Sequence, residues 1–373
     1  MASLYLVQGI AAALAVLGLS LAAPTGSRAE TNRWQQRIAP AKRDNMQSGT
    51  KAAKVKSQPV TPRTREIKWL SPGEGVGHLP TKPFLPSVPR QVSGGNDPAY
   101  DAFEQGRYLT ALSIAAKNAA KGEPQAFTLV ARIHAEGLGV PQNYGLAAQW
   151  YQRAADLGDK EALLSLGLLY LRGQGVKKDI AKGADLIEKS AAQQQPEACY
   201  NLALLFLAGE GKPENPIHGF QLMQFAAEHG VVAAMYDLGT LYATGTGTDA
   251  NAFKAAHWIG QAASKGLADA QLDEAIILFR GKGTPPDPRR AVQLLKSAAD
   301  KGMPVAQNRL AHAYAAGLGA RTNLIAAAKW HLIAKASGLD DPKLDAVVKK
   351  LSPADRLKAE RAAFEWREDV LLQ

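Results

Sequence analysis

The pattern Gly-x-Gly returns six times at one spacing. Its first glycines are Gly137, Gly173, Gly209, Gly245, Gly281 and Gly317, each 36 residues after the last. Self-similarity at a fixed period of roughly 20–50 residues marks a stacked array of short supersecondary units. A phosphate-binding loop would instead need one such motif after a strand, with a third glycine three residues on. That position holds Gln142, Lys178, Glu214, Ala250, Pro286 and Thr322. The glycines therefore read as joints in a chain that turns repeatedly.

Each unit reads as a helix hairpin. In residues 123–158, Ala126, Val130, Ile133 and His134 share one helical face. A loop follows, and then Ala147, Trp150, Tyr151 and Ala154 recur at helical spacing. The period carries these positions along the chain. Small residues stand at 126, 162, 198, 234, 270 and 306, and again at 147, 183, 219, 255, 291 and 327, so two backbones can approach. Large residues fill the slot of His134 (Tyr170, Phe206, Tyr242, Leu278, Tyr314) and the slot of Trp150 (Leu186, Leu222, Trp258, Leu294, Trp330). Large against small makes an interlocking layer. Before each second helix stands Asn143, Asp179, Asn215, Asn251, Asp287 or Asn323, side chains that cap free N–H groups.

The repeating residues Ala126, Val130-Ala131, His134, Gly137-x-Gly139-Val140, Asn143, Ala147, Trp150-Tyr151, Ala154-Ala155 and Gly158 resemble the pattern of Sel1-like repeats, relatives of tetratricopeptide repeats. Leu166-Gly167 and Tyr170 bring the second copy nearer still. The resemblance implies an all-α, α/α solenoid of six repeats and a role in holding other proteins. Two departures stand out. Ala334-Lys335-Ala336 blurs the last copy. Glu274 occupies a slot filled elsewhere by Leu166, Leu202 and Leu238; it either tilts to solvent, the reading preferred on sequence, or is buried and needs a partner.

The chain divides into residues 1–29, 30–96, 97–122, 123–339 and 340–373. Residues 1–29 are apolar and uncharged up to a small-x-small pattern at Ser27-Arg28-Ala29, which reads as a secretory signal peptide cut after Ala29. Only the terminal amine precedes the apolar run with positive charge, so an uncleaved anchor is the alternative. The basic residues after it would then place the repeats in the cytoplasm. Residues 28–98 hold 13 Lys/Arg against 5 Asp/Glu, out of totals of 44 and 34. That leaves 31 against 29 elsewhere, so the repeats are near neutral and nothing in them suggests nucleic acid. Residues 30–98 also hold nine of the 21 prolines and show no sustained periodicity, and residues 30–96 read as a basic, Pro-rich tether. The sharper alternative is an arm touching anionic envelope polymer or lipid headgroups. Residues 97–122 read as a capping hairpin. Residues 340–373 read as capping helices, with Ser352 as cap and Pro353 at the first helical position.

Candidate chemistry is sparse. The sequence holds no His-Glu-x-x-His, no cysteine pair and no calcium loop, and no cofactor is expected. Cys199, the single cysteine, lies in phase with Phe127, Leu163 and Met235 and reads as a buried, inert thiol. Ser48-Gly49-Thr50-Lys51 falls in the tether, where no pocket would serve a β-lactam-reactive serine.

The remaining candidate is a surface. Tetratricopeptide geometry would put the first helices on the concave side. Phasing then places Leu164, Leu168, Leu171, Tyr200, Leu204, Leu207, Tyr236, Leu272, Ile276 and Phe279 in an apolar groove, flanked by Arg172, Arg280 and Glu161. The competing reading buries the same stripe between neighbouring repeats. The expectation is thus an exported, non-enzymatic binding scaffold in the periplasm, with a protein or peptide segment as partner. An envelope enzyme acting on peptidoglycan or β-lactams and a membrane-anchored cytoplasmic adaptor are the competing classes.

Overall fold

The computed structural model describes residues 97–371; the expected signal peptide and the whole of the basic tether, residues 30–96, lie outside the described residues. Within them the chain forms sixteen α-helices and no strand. An opening pair, α1 (Pro98–Glu104) and α2 (Tyr108–Ala119), precedes six hairpins. These are α3 (Pro124–Glu136) with α4 (Tyr144–Asp156), α5 (Lys160–Arg172) with α6 (Ile180–Ala191), and α7 (Pro196–Ala208) with α8 (Pro216–Glu228). Then come α9 (Val232–Thr244) with α10 (Ala252–Ser264), α11 (Ala268–Arg280) with α12 (Pro288–Asp300), and α13 (Pro304–Ala316) with α14 (Leu324–Ala336). Each helix packs on the one before and the one after, as a solenoid requires. The closing helices fold back: α15 (Pro342–Lys350) lies on α13 and α14, and α16 (Pro353–Leu371) lies on α14. No helix among the described residues is long and apolar enough to cross a membrane.

The two glycines of each joint do different work. The first ends the first helix in a left-handed conformation, with φ between 66° and 76° across the six copies. The second, with φ between 69° and 79°, presses on the preceding repeat. A Cβ at Gly247 would overlap the Pro216 carbonyl, and one at Gly283 or Gly319 the carbonyls of Ala252 and Pro288. From Gly175 onward each joint is thus a close backbone contact between repeats, whereas Gly139 meets the side chains of Tyr108 and Leu109.

The six Asn/Asp residues cap as the sequence predicts. Each side chain accepts from the N–H three residues on, at 2.9 Å for Asn143 to Leu146 and for Asp179 to Lys182. Their own N–H groups also close the loop. Asn251 donates to the Tyr242 carbonyl at 2.7 Å and Asn215 to that of Phe206 at 2.9 Å. One residue therefore ties the end of the first helix to the start of the second.

The turn from one hairpin to the next contains one strained position. Gly122, Gly158, Gly230, Gly266, Gly302 and Gly338 all take positive φ there, and Gln194 is forced into the same region at φ 57°. A left-handed residue with a Cβ costs roughly 1–2 kcal/mol. Gln194→Gly should therefore stabilise the protein by about 1 kcal/mol, less what is lost in backbone entropy. Gly247→Ala, which drives a methyl into a carbonyl, should destabilise it by more than that amount. Paired thermal melts check both signs; a fall in melting temperature for Gln194→Gly would contradict this account of the turn.

Candidate partner-binding face

The apolar stripe of the first helices is largely core. Leu164, Leu168 and Leu171 are 0%, 2% and 4% exposed, and Tyr200 and Tyr236 are buried too. They join one cluster with Cys199, Leu202 and Leu238, so each first helix lays part of this stripe against its neighbour. These five side chains do not line an open groove. One physical reason is local: Gly183 offers no Cβ where Leu171 lies, so the leucine sinks onto the second helix. Leu204, Leu207, Leu272, Ile276 and Phe279 remain partly exposed, and Arg172 is exposed. Leu168 and Leu204, equivalent by period, therefore differ: one is core and the other reaches the surface.

Polar side chains mark the same face, and sequence reasoning missed them. The Tyr200 hydroxyl donates to Asp237 at 3.0 Å, and the Tyr236 hydroxyl to Asp273 at 2.7 Å. Each bond spans 37 residues and bridges adjacent first helices. The signal was present in the column Asn201, Asp237, Asp273, polar positions inside otherwise apolar helices.

The amino-terminal end of this face is charged. Arg132 of α3 is buried, bonds Glu136 at 2.7 Å and lies over the Phe103 ring. Glu161 of α5 sits close by. Desolvation pushes its carboxyl up to about 7; Arg132 opposes the rise, and Asp159, Glu197 and Glu136 add to it. Burial also raises the phenols of Tyr100 and Tyr151, with Glu161 contributing to both. A carboxylate, a guanidinium and two phenols thus interact at this end of the face, where burial favours the protonated form of Glu161.

At the other end two histidine–carboxylate contacts fasten the closing helix. His312 meets Asp341 at 2.7 Å, and His331 meets Asp345 at 2.8 Å. Burial works against charge on Asp341, yet hydrogen bonds from His312 and Asn308 hold its carboxyl well below the usual range. Lys335 and then His331 do the same for Asp345. Asp341 also caps α15 through Lys343 and Leu344. His331 is fully buried.

Glu274 is the second correction. It does not tilt to solvent: it is 6% exposed, with Oε1 bonded to Arg290 at 2.6 Å. Cys199 is buried, and its thiol is pushed up to about 11 by burial. An open cleft of about 490 Å³ lies between α4 and α6, with Leu163 and Leu186 among its walls and Lys182, Asp185 and Lys189 beside them. Among the described residues no group of three or more His, Cys, Asp or Glu side chains is placed to hold a metal ion.

Comparison with known proteins follows from this architecture. The Sel1 repeat family profile matches six successive segments, residues 126–159, 160–194, 196–231, 232–267, 268–303 and 304–339. A Sel1 repeat protein from Oxalobacter formigenes superposes with a TM-score of 0.57 at 30% identity, covering 63% of this chain and 94% of its own. A protective antigen present in uropathogenic Escherichia coli strains, which displays an SLR fold, superposes with a TM-score of 0.63 at 26% identity. That match covers 74% of this chain and 62% of the antigen. No curated protein matches this chain.

The buried and partly exposed leucines separate in a melt. Leu168→Glu should lose roughly 3 kcal/mol or more, because a carboxylate would enter a dry contact. Leu204→Glu should melt within a few degrees of the parent. Glu161 gives a pH-dependent counterpart. Its folded carboxyl is raised above the unfolded value, so the folded state favours the protonated form. Its contribution to stability is complete below about pH 4 and is lost as pH rises through about 7. Glu161→Gln should therefore raise the melting temperature at pH 8 and leave it nearly unchanged at pH 4. An equal gain at both values would remove the electrostatic explanation.

Proposed function

The chain belongs to the Sel1 repeat family, and from that premise we propose that it is a scaffold of the bacterial cell envelope that holds a segment of a partner protein along its first helices. Sel1 repeat proteins generally bind other proteins. The observation that carries the finer reading is the row Leu204, Leu207, Leu272, Ile276 and Phe279. These apolar side chains are partly exposed on two first helices, α7 and α11, with the Tyr–Asp bridges of α9 between them. A row of this kind offers apolar contact with polar groups alongside to fix orientation. The exported setting draws support from residues 1–29, which combine an uncharged apolar run with a small-x-small site. The basic residues of 30–96 would then lie between leader and solenoid, suited to weak contact with anionic envelope polymer or headgroups.

Affinity capture from an envelope fraction, read by mass spectrometry, tests the scaffold. Leu204→Glu should weaken capture of the partner about 30-fold or more, since a charge in a desolvated contact costs about 2 kcal/mol or above. Retention of the same partner at parental strength would place the binding surface elsewhere. Sequencing the amino terminus of the native protein tests the setting: Glu30 is expected, whereas Met1 or Ala2 would favour the anchored form.

A further inference from the structure

The first-helix slot that faces the hairpin interior holds Val130, Leu166, Leu202, Leu238 and Leu310, all between 0% and 3% exposed. In α11 the same slot holds Glu274. Its Oε1 takes the Arg290 guanidinium, while its Oε2 is enclosed without a hydrogen-bond partner. Arg290 itself is half exposed, so the pair is dry at one end and wet at the other. On the α10 side the carboxylate meets Gly260, where a Cβ would stand 3.4 Å from Oε1. The equivalent positions of the other five hairpins carry Gln152, Glu188, Gln224, Lys296 and Leu332. A long side chain is therefore missing beside the one carboxylate of the interior slot.

The surrounding core thins at the same place. The buried residues of α11 are Ala270, Gln271, Glu274, Ala275 and Leu278, so Leu278 is its only large buried apolar side chain. By contrast α5 buries Leu163, Leu164, Leu166, Leu168, Leu169 and Leu171; α13 is as thin as α11, with Leu310 its one large buried apolar side chain, but it buries no carboxylate. The fully buried members of one apolar cluster end at Ala270 and those of the next begin at Ala275, so that across α11 and α12 only partly buried side chains, Ile277 and the Leu294 shared by both, continue the first cluster. Other first helices also divide clusters between their faces, but α11 does so with an amide and a carboxylate between the two. Gln271 spends its amide on the Ala263 carbonyl of the preceding repeat.

We propose that α11 is a built-in seam, at which Glu274 divides the solenoid into two cooperatively folding blocks, one up to α10 and one from α12 onward. In a linear array stability is a sum of repeat terms and nearest-neighbour interfaces, so one weak layer uncouples what lies on either side. A buried carboxylate with an unpaired oxygen is such a layer, because its desolvation is only partly offset by one ion pair. Burial raises the Glu274 carboxyl above its ordinary value, and Arg290, the charged group facing it, acts against that rise. The seam gives the array a place to bend or open while each block stays folded, which a uniform stack of leucine layers lacks.

Hydrogen exchange of the full-length protein across a urea series, read separately for peptides of α9–α10 and α13–α14, tests this. The parent should open the two blocks at different urea concentrations. Glu274→Leu, which restores the residue found in four other repeats, should bring the two midpoints together. It should also slow opening of the weaker block about tenfold or more. Glu274→Gln keeps the shape, removes the charge and should close part of the gap. A single shared midpoint in the parent would overturn the proposal. So would an undiminished gap in Glu274→Leu, even with higher overall stability, because a merely local improvement would not couple the blocks.

Discussion

The contact on which the rest depends is backbone against backbone, where the second glycine of each joint from Gly175 onward meets the start of the preceding second helix. No side chain mediates it at Gly247, Gly283 or Gly319, and none could be added there. A contact of this kind fixes both the distance and the angle between repeats, since carbonyl and glycine have almost no freedom to adjust. The other repeating features follow from that spacing. The Asn/Asp cap must both start the second helix and return its N–H to the first, because the loop has few residues in which to do both. The small residues at 183 and 219 are required because adjacent helices already approach closely: a Cβ at Gly183 would lie 2.8 Å from the Gly167 carbonyl.

This is why so much of the fold was legible. Glycine at a fixed interval, an oxygen-bearing cap six residues later and small residues in phase each have a local physical cause that recurs with the repeat. The six hairpins, the caps and the closing helix at Ser352-Pro353 needed no tertiary information. The binding face was less legible, because amphipathicity records that a residue is apolar and not what covers it. Leu168 and Leu204 have the same period and the same chemistry. Their fates differ because their neighbours do, and nothing in either helix alone states that. The reading of Glu274 failed for a related reason. Exposure is the ordinary fate of a carboxylate, and its burial depends on Arg290 one helix on and on the gap at Gly260 one helix back.

The bonds that sequence periodicity could not find are those that break the periodicity. Tyr200 to Asp237 and Tyr236 to Asp273 cross two successive interfaces. The His–Asp contacts occur only where α15 closes the array. In a solenoid whose apolar slots are nearly interchangeable, any first helix has a reasonable surface for any other, so apolar packing alone specifies the order of repeats poorly. Stacking the helix that carries Asp237 against one with leucine in the tyrosine slot, as in Leu164, would leave that carboxylate without this donor. Each polar bridge thus favours the right neighbour over a wrong one. The sequence can then keep the glycine joint identical in every copy, because these few pairs identify which copies meet. The same pairs occupy part of the first-helix face, so a partner lying there would meet a surface whose polar groups are already fixed by the order of the repeats.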